Sequence, residues 1–143
     1  MPDFLEQAAD RAGEAHAVPP RAGGFCVVEH VWHLADLERE GFAVRIERLR
    51  GGGRPLLLDF DGARVARERD YRRKALAEGL ALFREARDRN LQTLQSLSPA
   101  EWEHEGEQEQ VGAVRLRDIP RLMCEHDRGH RQEILELLAE LGR

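Results

Sequence analysis

Only two cysteines, Cys26 and Cys124, occur in the chain, too few for a disulfide framework. Long hydrophobic runs are missing as well: no apolar stretch approaches the ~20 residues that span a bilayer. Met1-Pro2-Asp3 offers neither a basic start nor an apolar core, so no signal peptide is expected at the front. Basic excess is lacking, since the formal net charge is −5. That argues against nucleic acid as the main partner, because neutralising phosphates needs a basic face. The arginine-rich segments 45–50 and 64–74 are interleaved with acids and read as solvated helix faces. Aromatics make up only 6% of the chain, and β-branched residues are thin outside short stretches. Together these absences predict a cytoplasmic, helix-rich protein with neither membrane nor nucleic acid as partner.

What is present supports that class. Hydrophobic residues make up 41% and charged residues 34% of 143 residues, enough for one domain over 1–143 with a core that needs no disulfide. Residues 3–15 carry a thin apolar stripe of Phe4, Leu5 and Ala8, predicting a short first helix ended by Pro19-Pro20 and Gly23-Gly24. Val27, Val28, Val31, Leu34, Leu37, Phe42, Ile46 and Leu49 recur at helical spacing, predicting a second helix from Phe25 to Arg50 that stops at Gly51-Gly52-Gly53. Pro55–Gly62 reads as irregular, its leucines covering one end of the core. A third long helix is expected from Ala63 or Arg67 to Leu97, with Leu76, Leu80, Phe83, Leu94 and Leu97 as its stripe. Ser98-Pro99-Ala100-Glu101 has the form of a helix start that presents Trp102. Residues 104–112 read as a polar loop. Asp118 and Pro120 then open a final helix that runs to about Leu141. With no strand pattern, the expectation is an all-α four-helix bundle, and the long link between helices two and three implies a crossover connection.

The chemistry concentrates in histidines. His126 and His130 are four apart and fill the gap between Met123 and Ile134 in the apolar stripe of the last helix. Their Cβ atoms are thus expected ~5–6 Å apart on a core-facing stripe. Two unpaired imidazoles there would be costly to bury, and one metal ion satisfies both. A third imidazole from helix two completes a site that keeps open coordination positions, as catalytic metals do. His33 is the choice for that ligand and His30 the runner-up. Glu29, Asp36 and Glu133, each about a turn from a histidine, are candidates to orient the imidazoles through their second nitrogens. Cys124 falls ~200° round the helix from His126, off the metal face. Cys26 reads as a small buried residue or cap. His16 and His104 fall in loops and receive no role. Ser96 and Ser98 have no partnered base, and Gly51–Gly53 lacks the residues of a phosphate-binding loop.

The stretches Glu29-His-Val-Trp-His33-Leu-Ala-Asp-Leu-Glu38, Arg87…Asn90-Leu91…Leu94…Leu97, Ala100-Glu101-Trp102, Gly112–Ile119 and Glu125-His126-Asp-Arg-Gly-His130-Arg-Gln-Glu-Ile134 resemble, in this order, the DinB/YfiT-like superfamily of metal-binding four-helix bundles. The resemblance covers about residues 24–143. It implies His33, His126 and His130 as the metal triad, with nickel, zinc or iron as the metal. It also implies a thiol-dependent S-transferase or isomerase that uses a low-molecular-weight thiol, with a metal-dependent hydrolase or a non-catalytic, stress-related dimerising bundle as alternatives. Arg87 and Arg128 are candidates to steer an anionic substrate, against the plainer reading of each as a solvated surface charge. Homodimerisation through helix faces is common in such bundles, but no seam is legible here. Two departures stand out: helix one is short, and Cys26 occupies the position where relatives often carry a Ser or Thr cap.

Overall fold

A computed structural model describes residues 1–143. Helix α1 spans Pro2–Ala12, after which residues 13–17 tighten into a 3-10 turn. Helix α2 covers Val27–Asp36 and is capped at Cys26, whose backbone N–H donates to Glu29 Oε2 at 2.9 Å. It passes without a break through a π turn, Leu37–Phe42, into α3, Ala43–Arg50. The expected second helix is therefore present, but it is widened in its middle. There the Ala43 N–H reaches back to the Glu38 carbonyl, which also accepts from Asn90 Nδ2 at 2.9 Å. Gly52 and Gly53, both at positive φ, turn the chain out of this helix.

The third helix differs from expectation. It is split into α4, Gly62–Glu68, and α5, Leu76–Gln95, by a 3-10 turn at Tyr71–Arg73. Asp70 takes a left-handed conformation at the break, and Tyr71 is fully buried. Its hydroxyl donates to the carboxylate of Asp36. That tertiary bond overrides a local sequence rich in helix formers. Ser98 and Glu101 exchange the expected reciprocal bonds, but only a single 3-10 turn, Glu101–Glu103, follows them.

A second correction is a small sheet. β1, Leu56–Leu57, pairs in parallel with β2, Glu105–Gln108, which pairs antiparallel with β3, Gly112–Arg115. The expected loop at 104–112 is thus a hairpin, and only Leu57 of the leucines at 56–58 is buried. The strands are short and mostly polar, and the inward positions of β2 are Gln108 and Gly106, where a Cβ would meet Pro55 O at 2.7 Å. No apolar alternation was there to read.

Helix α6, Ile119–Glu140, closes the four-helix bundle with α1, the α2–α3 helix and α5. One core cluster holds Leu5, Val27, Val31, Leu34, Phe83, Ile134 and Leu138. A second holds Leu37, Ile46, Leu49, Leu57, Leu94, Leu116, Ile119 and Met123. Along α6 the two clusters are separated by a gap between Met123 and Ile134, where His126 and His130 stand, and His30 and His33 of α2 meet them there. No helix is long and apolar enough to cross a membrane.

Candidate metal centre

The gap brings His33, His126 and His130 together. His33 Nε2 lies 3.4 Å from His126 Nε2, and His130 Nε2 lies 3.2 Å from the same atom. Two nitrogens bound to a tetrahedral zinc through ~2.0–2.1 Å bonds are ~3.3–3.4 Å apart, so the spacing fits one shared ion. A proton can bridge one such pair, but three imidazole lone pairs converging on one point are all satisfied only by a cation. The three ligand atoms lie within 4.8 Å of one another.

Burial keeps these rings neutral, as metal ligands must be. Desolvation, reinforced by the neighbouring imidazoles, lowers His33 to about 3 and His126 to about 4. Desolvation also lowers His130, against the opposing pull of Glu133. Phe25 and Phe60 pack on the His33 ring, and Phe42 meets His126 edge-on. These three phenylalanines form an apolar collar, and such a shell lowers the local dielectric and limits solvent access.

His130 faces two ways. Its Nδ1, on the far side from the triad, lies 3.1 Å from Glu133 Oε2 and 2.9 Å from His30 Nδ1. Glu133 therefore stands behind His130, on the side away from the other two imidazoles. His30 is at the back of His130, with its own pKa pushed by burial down to about 3. It also belongs to a second group, His30, His130 and Glu133, whose atoms meet the same spacing test.

The other two proposed orienting carboxylates are committed elsewhere. Asp36 accepts from Tyr71, Arg69 and Arg39, and Glu29 caps α2 and pairs with Arg72. Cys26 is buried at the cap, and burial pushes its thiol up to about 11, so it stays protonated. Cys124 is exposed and off the site. His33 Nδ1 has no partner and faces Gly62 at the start of α4.

The arginines also need correction. Arg87 is not free to steer a substrate: it donates to both Asp127 oxygens and to Glu38, and Asn90 fixes Glu38 in turn. Arg128 is exposed. Arg45, by contrast, is not on a solvated face. It is 7% exposed and lines a cavity of about 230 Å3 together with His33, His126, Leu37, Phe42 and Gln108. The signal was the spacing His33, Leu37, Phe42, Arg45, whose step of five between Leu37 and Phe42 is one π turn.

The comparisons agree with this fold. A model of the DinB superfamily matches residues 3–134. The structure of YfiT from Bacillus subtilis, described as a probable metal-dependent hydrolase with an unusual four-helix bundle topology, superposes with a TM-score of 0.87. It is 23% identical, and the match covers 99% of this chain and 81% of that one. No curated protein matches the sequence. With the family model spanning nearly the whole chain, this protein belongs to the DinB superfamily.

Proposed function

We propose that the protein is a divalent-metal-dependent enzyme acting on small molecules, with His33, His126 and His130 as the metal ligands. The observation that carries this reading is the convergence of three imidazoles, His33 buried and His126 and His130 half-buried, whose Nε2 atoms lie 3.4 and 3.2 Å from one another through His126 beside a cavity. A metal there supplies a lowered pKa for a coordinated nucleophile and polarises a substrate oxygen. The chain's own residues do the rest. His130 gives its Nδ1 proton to the Glu133 side, which leaves Nε2 as the ligating atom. The phenylalanine collar keeps bulk water from the imidazoles, and the cavity on the His33 and His126 side receives the substrate.

Water is the nucleophile we favour. A cavity of about 230 Å3 leaves room for a small substrate and a water more readily than for a substrate and a thiol carrier together. The hydrolytic description of YfiT points the same way. Tag-free protein loaded in turn with zinc, nickel or ferrous iron, then assayed on small esters and amides with and without a low-molecular-weight thiol, tests the reading. Metal-dependent turnover without thiol, lost in His126→Ala, supports a hydrolase. Turnover only with thiol reassigns the protein to the S-transferase or isomerase class. Stoichiometric metal with no turnover in either arm leaves a metal-binding bundle.

A further inference from the structure

Two arginines are buried near His126, Arg87 on α5 and Arg45 on α3, and the partners of their terminal nitrogens differ. Arg87 donates through both terminal nitrogens to two carboxylates at 2.7–2.9 Å, leaving only its Nε without a partner, and accounts for itself as structure. Arg45 has no such close carboxylate. Its Nη2 reaches Leu58 O only at 3.5 Å and Asp59 Oδ1 only at 3.9 Å, and its Nε is buried without any partner. Asp59 is half exposed, and its Oδ1 is already occupied by the Phe60 N–H. A buried guanidinium left this open is costly unless something else completes it. Phe42, at 5.6 Å from the guanidinium carbon, holds the side chain from one face.

The same cavity wall carries a second unsatisfied group. Gln108, at the end of β2, is 8% exposed, and its Oε1 is buried with no donor. Arg45, Gln108, His33 and His126 all line this one cavity. With a divalent metal on the histidines and Asp59 the lone carboxylate in the wall, its charge is net positive, a field that collects anions.

We infer that this cavity binds a small carboxylate-bearing substrate, its carboxylate held by Arg45 and a neighbouring hydroxyl or N–H group donating to Gln108 Oε1. The inference rests on the metal-centre reading for the position of the reacting bond, but the Arg45 and Gln108 contacts stand on the chain alone. Arg45 supplies a fork that matches a carboxylate bidentately, which a lysine would not. The carboxylate end fixes the substrate's direction, so that its other end lies on the His33 and His126 side.

The test is an NMR titration of zinc-loaded protein with propionate and with its neutral analogue propionamide. Wild type is expected to favour propionate, and Arg45→Met to bind propionate about 10- to 100-fold more weakly and to lose the preference. Arg45→Gln carries the same expectation if the methionine variant does not fold. Lactate, which adds a hydroxyl, is expected to bind wild type more tightly than propionate, and Gln108→Leu to abolish that gain. Propionate binding that is equal in wild type and the Arg45 variants overturns the carboxylate site, since the metal alone would then be the anion's ligand. A lactate gain that survives Gln108→Leu overturns the role of Gln108. Zinc uptake is measured on every variant. If none takes up zinc, the metal reading fails, and the same propionate comparison on metal-free protein decides the Arg45 site separately.

Discussion

Gly62 lies flat against the imidazole of His33: a Cβ at that position would overlap both Cε1 and Nδ1 of the ring. The first residue of α4 thus has room for no side chain because of the His33 ring on α2, and not because of its own backbone, which is not at positive φ. Gly62→Ala is expected to push His33 away from His126 and weaken zinc binding about 10- to 100-fold, the range seen when groups supporting a ligand are disturbed. Alanine itself favours a helix, so α4 has no reason to melt. Competition with a zinc chelator measures the affinity, and circular dichroism checks that the helices persist. Unchanged affinity would contradict this role for Gly62.

Glu133 supports the triad from the opposite side. Its carboxylate at 3.1 Å from His130 Nδ1 fixes which nitrogen carries the proton and raises the basicity of the other. Glu133→Ala is expected to weaken zinc by about tenfold or more while leaving the metal-free melting temperature nearly unchanged, because Glu133 is exposed. A zinc titration by calorimetry reads the first effect and a thermal melt the second.

The metal-free protein is expected to lose stability on the acid side earlier than its carboxylates alone require. His30 and His33 are lowered by burial to about 3, and His126 to about 4. Their unfolded values are near 6.5. Below about pH 6.5 the unfolded chain therefore binds protons that the folded chain refuses, so stability is full above that pH and falls as pH drops toward the folded values. Each such histidine contributes a slope of up to about 1.4 kcal/mol per pH unit. Urea unfolding of metal-free protein between about pH 7 and pH 5 isolates the effect, since most carboxylates titrate lower. A flat profile over that range would contradict the burial of neutral imidazoles.

The Glu38–Arg87–Asp127 group is the strongest polar element of the core. Glu38 is 2% exposed and meets Arg87 at 2.7 Å, while Asn90 binds both its carboxylate and its backbone carbonyl in the π turn. Glu38→Ala leaves Arg87 partly unpaired and is expected to cost about 3–5 kcal/mol in chemical unfolding. A loss below about 1 kcal/mol, the level of a surface pair, would contradict this account.

The helices were legible because their apolar residues keep a helical period over several turns, and the histidine pair because it interrupts one of those stripes. Three features escaped for physical reasons. The hairpin turns Gly106, Gln108 and Val114 inward, so a single apolar side chain marks its buried face. The break at Asp70 is dictated by the bond from Tyr71 to Asp36, a residue thirty-five positions away. Arg45 was read as solvated because its segment mixes arginines with acids, and a regular helix would likewise turn it from the site. Twelve residues at ~100° each end ~120° away from His33, whereas absorbing one residue in the π turn returns Arg45 to within ~20° of it. The wide turn is held by Asn90 on another helix, so local sequence alone does not announce it.

The central claim, a shared metal on His33, His126 and His130, is tested most directly by elemental analysis of tag-free protein that has never met a nickel resin, beside His126→Ala. About one divalent metal per chain in wild type, and none in the variant after the same incubation with zinc, nickel or ferrous iron, is the result this account predicts. No metal in wild type under any of these conditions, or equal metal in both proteins, would contradict it.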